Sequence, residues 1–373
     1  MIYLDNAATT GKKPIKVVAA VNNALINYSA NPGRSGHILS EKTAMAIYKV
    51  REKNASFFGA DDAQNVIFTS GCTQSINMVL KGVIDSGDHI IVSSLEHNSV
   101  MRPIYKMGVN YSVAEVSFTN DDETVKNFEN LITPHTKMIF VTGASNVFGK
   151  RLPLKQLGEL CKRNNILFGV DAAQIAGVVP IDMKECCIDY LCIAGHKGIY
   201  APMGIGVLIA NKPIKNTLIE GGTGTDSLNH NQPDVMPERL ESGTLNVPGI
   251  LGLGAGLDFV EQVGINRISR YETGLMDMVY KALKKNEKVI LYTPQPNEKS
   301  FVPVLSFNIR GKESFETAKI LEKSGIAVRA GLHCAPLAHE TMGTIEKGTV
   351  RIAPSIFTRV CDIDYFVKTV KNI

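Results

Sequence analysis

Ile166–Gln174 reads ILFGVDAAQ, and Tyr190–Gly198 reads YLCIAGHKG. Each begins as a short apolar run and stops at chemistry: Asp171 and Gln174 in the first, His196 and Lys197 in the second. Runs of this length, bounded by glycine and polar residues, read as strands buried on both faces. The same grammar extends outward. Val66–Thr69, His89–Ser93, Lys137–Thr142 and Gly206–Ile209 are further strand candidates. Between them lie helical patterns: Thr73–Ile84, with Ile76, Val79, Leu80 and Val83 on one face, Glu96–Met107, and Leu154–Asn164. Strands alternating with helices predict an α/β chain with a mainly parallel sheet covered on both sides. The pattern changes near Pro248. A long helical stretch, Gly249–Val263, precedes strand patterns at Val289–Thr293, Pro303–Ile309 and Ala327–Ala330 and helices at Ser314–Lys323 and Asp362–Lys371. The expected division is a large domain, residues 13–255, and a smaller C-terminal α/β domain, residues 256–373 together with 1–12.

The composition excludes several classes. With 373 residues, 44% apolar and 20% charged, the chain can bury a large core and is not disordered. Lys and Arg number 40 against 36 Asp and Glu, a net charge of only +4 without a dense basic run, so no nucleic-acid partner is expected. No apolar run is long enough for a membrane span. Met1–Thr10 lacks Lys and Arg and does not read as a targeting peptide. Seven cysteines without an export signal predict reduced thiols and a cytoplasmic location.

Some motifs fail on inspection. Gly143–Lys150 has five residues between its glycines, and Arg151 stands where a phosphate loop needs Ser or Thr. Gly252, Gly254 and Gly256 sit inside a helical pattern, which suits close packing better than dinucleotide binding. Neither the cysteines at 186, 187 and 192 nor His333, Cys334 and His339 complete a metal-ligand set, and no metal is expected.

Three motifs survive. Ser70-Gly71-Cys72-Thr73 joins a strand to a helix, whose N-terminus suits a phosphate. Asp171 and Lys197 lie just past the ends of apolar strands, where open α/β sheets bind ligands. Taken singly, the first two read equally as helix caps and the third as a solvated lysine. Together they are what pyridoxal phosphate requires: a lysine for the Schiff base, an acid for the pyridinium nitrogen and a cradle for the phosphate. His97 follows a fourth strand and offers a flat ring to cover the pyridine face.

These motifs lie in order with Tyr3–Thr10 (YLDNAATT), Glu96-His97, Ser145-Asn146, Arg329–Cys334 (RAGLHC) and Val350-Arg351. So arranged, the chain resembles the class V aminotransferases of the cysteine desulfurase type over essentially its full length. The short run to Cys334 looks like the group that includes selenocysteine-lyase-like members. The resemblance implies the pyridoxal-phosphate-dependent transferase fold (aspartate aminotransferase-like, fold type I). It also implies a role for each matching residue. Lys197 forms the Schiff base, and His97 stacks on the ring. Asp171 pairs with the pyridinium nitrogen, and Gln174 contacts the ring hydroxyl. Cys72, through its backbone, and Thr73 hold the phosphate with His196. Thr225, in the polar loop Gly221–Pro237, reaches the phosphate of a neighbouring subunit, which makes the protein a homodimer. Asn146 and Arg351 hold the substrate carboxylate, and His37 lies on a loop bordering the site. Cys334 is the nucleophile, in an electropositive setting from Arg329 and His333. Two residues depart from the family's usual pattern: Ala194 stands where a Ser is common, and Cys72 where a Thr is common, so two phosphate hydroxyls are missing. The implied reaction converts L-cysteine to L-alanine, leaves a persulfide on Cys334 and calls for a protein sulfur acceptor. A selenocysteine lyase acting on L-selenocysteine, another lyase or aminotransferase of this class, and a cofactor-binding protein without turnover are the alternatives.

Overall fold

The computed structural model describes residues 1–33, 36–225 and 227–373. Its main sheet has seven strands in the order Val66–Thr69, Gly206–Ala210, Tyr190–Ala194, Leu167–Asp171, Thr136–Thr142, His89–Ser93, Asn110–Ala114. Six of these strands run one way. Gly206–Ala210 alone runs against both of its neighbours. That reversal was invisible in its apolar composition, but it leaves the sheet mainly parallel, as expected.

Alternate residues feed two different cores. Ile91, Ile139, Val141, Phe168, Val170, Leu191 and Ile193 belong to one cluster. Ile90, Val92, Met138, Phe140, Tyr190 and Cys192 belong to the other. The period-2 alternation of a strand therefore puts an apolar layer on each face, and the sheet's upper edge is left as the place for chemistry. Because Val66–Thr69 is parallel to Tyr190–Ala194, six strand ends lie at that edge: Ala114 at its margin and, together across the rest of it, the five at Thr69, Ser93, Thr142, Asp171 and Ala194.

A second sheet, antiparallel throughout, has the order Arg329–Gly331, Thr349–Ile352, Leu305–Ile309, Val289–Leu291. Helices Ile265–Leu283 and Val360–Lys371 supply Leu275, Met276, Val279, Ile363 and Phe366 to its core, which also takes Leu4. The run Ala327–Ala330, expected as one strand, is divided. Ile326–Ala327 pairs in parallel with Ile2–Tyr3, while Arg329–Gly331 pairs with Thr349–Ile352. The long helix spans Val247–Val263, and its glycines make close contacts as expected. A Cβ at Gly256 would lie 2.1 Å from the Ile199 carbonyl oxygen, and one at Gly254 would lie 2.7 Å from a Val50 methyl. All seven cysteines are free thiols. Among the described residues, no helix is long and apolar enough to cross a membrane.

One glycine ties the sheet to the edge loops. Gly206 pairs with Thr69 and Ala194, and a Cβ there would lie 2.6 Å from the Gly71 backbone. Gly206→Ala is expected to push the Ser70–Thr73 turn out of place and to cost about 1–3 kcal/mol of stability. Thermal unfolding together with binding of pyridoxal phosphate to the apoprotein checks this. An unchanged melting temperature with unchanged binding contradicts it.

Candidate active site

The loops that leave the five strand ends enclose a cavity of about 240 Å³. Its wall contains Cys72, Thr73, His97, Asn146, Asp171, Gln174, His196 and Lys197. Eight of the residues singled out from the sequence are thus brought together by topology from positions spread over more than a hundred residues of chain.

The first loop ends at helix Cys72–Val83, whose N-cap is Gly71, and no side chain caps it. The first N–H groups of the helix therefore lack an internal partner, and with the helix dipole they favour an anion. Asp171 lies at the end of the middle strand and is only 4% exposed. Its Oδ1 accepts hydrogen bonds from Ala173 N (2.9 Å) and from the Cys72 thiol (3.3 Å). Gln174 donates through Nε2 to the Ala7 carbonyl (3.0 Å), which leaves its own carbonyl oxygen for a ligand.

Lys197 is half-buried. Burial pushes its ammonium pKa down, and nearby Asp171 opposes part of that shift. The loop before it is fixed by the N-terminal segment. The His196 carbonyl accepts from Thr10 N (3.1 Å), Thr10 Oγ1 (3.0 Å) and Lys13 Nζ (2.9 Å). Burial brings the His196 imidazole down to about 4, so at neutral pH it offers a hydrogen bond to an anion and no charge. His97 is also brought to about 4 by burial. Its Nδ1 accepts from Ser99 N (3.0 Å), capping helix Asn98–Met107 and orienting the ring. The helix expected from Glu96 therefore starts two residues later.

Cys334 is exposed, and a guanidinium N–H of Arg329 reaches its sulfur at 3.6 Å. Its loop is pinned at two carbonyls: Asn98 N donates to Cys334 O (2.8 Å), and Asn146 Nδ2 donates to His333 O (2.8 Å). Asn98 directly follows His97, so the cysteine loop is docked on the cavity rim. The expectation for His333 needs correction. It is buried and stacked on His339 at an interplanar angle of 12°, and burial brings its imidazole down to about 2. Arg329, without His333, is the cation at the thiol.

Arg351 is only 1% exposed. Its Nη2 pairs with Asp5 Oδ1 (2.7 Å), and its Nη1 donates to the Asn146 carbonyl (2.8 Å). It does not line the cavity itself; it reaches the wall through Asn146, and its buried Nε has no partner among the described residues. The structure does not bring His37 to the cavity: it is exposed and caps helix Ile38–Phe58 by accepting from Ser40 N (3.2 Å). Thr225 is exposed too, in a separate recess with Gln232 and Arg239, away from the cavity of its own chain. Its loop includes position 226, which lies outside the described residues.

Glu96, beside His97, has no role that the sequence announces. It is fully buried, and its Oε1 accepts from Thr142 N (2.8 Å) and Ser93 Oγ, while its Oε2 has no partner among the described residues. Burial raises its pKa from 4.5 to about 8, so it is a neutral acid joining two strand ends at pH 7. The folded state then holds a proton that the unfolded state releases between pH 4.5 and 8, and stability falls as pH rises through that window. Glu96→Gln should remove this dependence. Its stability in urea should drop less than wild type between those limits, by about 1–3 kcal/mol, and equal slopes for the two proteins would contradict the assignment.

Comparison with known proteins agrees with the geometry. The family model "Aminotransferase class-V" matches residues 2–366. A probable cysteine desulfurase of Borreliella burgdorferi is 31% identical, covering all of this chain and 92% of its own. A cysteine desulfurase of Klebsiella pneumoniae is 33% identical over 90% of this chain and 84% of its own. Among solved structures, the apo cysteine desulfurase of Thermococcus onnurineus superposes with a TM-score of 0.91 at 32% identity, covering 100% and 94% of the two chains. The cysteine desulfurase CsdA of Escherichia coli, in its S-sulfonic acid form, gives 0.86 at 27% identity over 99% and 94%. With a family model spanning nearly every residue, and the motif residues gathered around one cavity, the chain belongs to the class V aminotransferase family.

Proposed function

We propose that this chain is a pyridoxal-phosphate-dependent cysteine desulfurase, converting L-cysteine to L-alanine and retaining the sulfur as a persulfide on Cys334. The observation that carries this reading is an exposed thiol beside a guanidinium, on a loop docked at the rim of a cavity that holds Lys197 and Asp171. An aminotransferase has no use for such a thiol.

The residues present fit pyridoxal phosphate. The uncapped helix at Gly71 supplies N–H groups for its phosphate, with Thr73 and His196 beside them. Asp171 Oδ2 accepts no hydrogen bond among the described residues and suits the protonated ring nitrogen. Gln174 suits the ring hydroxyl, and the neutral ring of His97 suits stacking. Lys197 suits covalent attachment. When bound, the group supplies an electron sink for the substrate's Cα.

The protein's own contribution follows from the site. Lys197, with a lowered pKa, acts as base at Cα. Asn146, which lines the cavity, is placed to meet the substrate carboxylate, and Arg351 holds the Asn146 carbonyl from behind at 2.8 Å; the direct Arg351–carboxylate contact that the resemblance implies requires the guanidinium to exchange Asp5 for the substrate. The Arg329 guanidinium donates to the Cys334 sulfur at 3.6 Å, and a thiolate is the reactive form of that sulfur. That thiolate attacks the substrate sulfur: an S–S bond forms, the Cβ–S bond breaks, and its electron pair stays on carbon, which takes up protons to give alanine. The persulfide then requires a sulfur acceptor, expected to be a protein. Exposed Ile15, Val18, Leu25 and Ile26 on one helix support a homodimer, in which Thr225 serves the partner's phosphate. The division into residues 13–255 and 256–373 with 1–12 is supported by the separate sheets and by Leu4 in the smaller core.

Borohydride reduction of the loaded protein should fix the cofactor to the peptide carrying Lys197. After incubation with L-cysteine, mass spectrometry should show one added sulfur on the peptide carrying Cys334. Cys334→Ala should abolish alanine release from L-cysteine while cofactor binding persists. Equal alanine release by wild type and variant removes Cys334 as nucleophile, and a keto acid in place of alanine overturns the desulfurase reading.

A further inference from the structure

Position 72 is one of the two positions at which the sequence departs from the pattern it resembles, and here the side chain has a structural partner. The Cys72 sulfur lies 3.3 Å from Asp171 Oδ1, the same oxygen that accepts from Ala173 N at 2.9 Å. Both donors fall on one carboxylate oxygen, and Oδ2 receives none among the described residues. The second neighbouring sulfur, Cys192, is paired in register with Asp171 on the adjacent strand and is fully buried. The carboxylate is therefore held between the two protein donors on one side and open cavity on the other.

We propose that Cys72 is a positioning residue: its S–H donates to Asp171 Oδ1 and, with Ala173 N, turns Oδ2 toward the ring nitrogen of pyridoxal phosphate. The inference rests on the cofactor reading above and extends it, since the resemblance assigns Cys72 only a backbone contact to phosphate. A donor must keep its proton. Burial and the adjacent Asp171 carboxylate push the Cys72 thiol well above its ordinary range, so it remains S–H throughout the pH range of an assay. The same shift keeps it silent as a nucleophile, which matters in a cavity meant to present substrate sulfur to Cys334 alone. A thiol is also a weaker donor than a hydroxyl. It orients the carboxylate while withdrawing less of its charge, and that charge is what keeps the ring nitrogen protonated.

Cys72→Val fills the space and removes the donor, whereas Cys72→Ser restores one. The readouts are the dissociation constant of pyridoxal phosphate from the apoprotein and the pH midpoint of the bound cofactor's visible absorbance. Cys72→Val is expected to weaken binding about five- to tenfold and to move the midpoint. Cys72→Ser should lie within about twofold of wild type, with the midpoint restored. A Cys72→Val protein with wild-type affinity and midpoint overturns the proposal. So does a Cys72→Ser protein as impaired as Cys72→Val, since packing alone would then explain both. If the wild type itself takes up no pyridoxal phosphate, the cofactor reading falls first, and that result is distinct from either of these.

Discussion

A carboxylate that is 4% exposed, at the end of a central strand, is costly unless donors and a cation surround it. Asp171 is in that position, and the edge of the sheet is organised around it. The strand to one side ends at Thr142, directly opposite Asp171, while the strand to the other side places Cys192 beside it and delivers Lys197 a few residues later. The neighbouring loop adds the Cys72 thiol, and the chain after Asp171 turns back to donate Ala173 N. Lys197 and Asp171 balance each other. Burial makes the amine easier to deprotonate, and the carboxylate limits how far this goes. The pair that is costly to bury is thereby the pair available for proton and covalent chemistry.

The second organising element is the N-terminal segment, which connects the two sheets. Ile2–Tyr3 pairs beside the smaller sheet, and Asp5 holds Arg351. Ala7 receives the amide of Gln174, and Thr10 and Lys13 hold the carbonyl of His196. Within a dozen residues the chain touches the arginine proposed for substrate and the loop of the lysine proposed to react. In the Asp5–Arg351 pair the arginine is buried and the aspartate one-fifth exposed, so removing Asp5 would leave a buried guanidinium without its carboxylate, a destabilising change.

Much of the site was legible because parallel strands announce themselves twice, first as an apolar run and then as an abrupt stop at functional residues. Asp171, Lys197 and the turn at Gly71 all have that form. The illegible parts depended on partners distant in sequence. The reversed direction of Gly206–Ala210 is set by which strands it lies between. The split at Val328 is set by Ile2–Tyr3, more than three hundred residues earlier. Charge states were hidden for the same reason. His333 sits next to Cys334 in the sequence and looks like a cation for it, but its burial against His339 keeps it neutral. Nothing adjacent to Glu96 in the sequence announces that Thr142 N and Ser93 donate to its carboxyl and bury it.

His333 and Cys334 both have positive φ, 51° and 58°, a conformation costing about 1–3 kcal/mol per residue in side chains other than glycine. The carbonyls of both are tied to the larger sheet's loops. A cysteine held in this way has little travel: its backbone is anchored at the residue itself, so only rotation about its own side-chain bonds moves the sulfur. If Cys334 carries the sulfur as proposed, that sulfur is collected at the cavity rim, and whatever collects it has to bring its own reactive group to within bonding distance there.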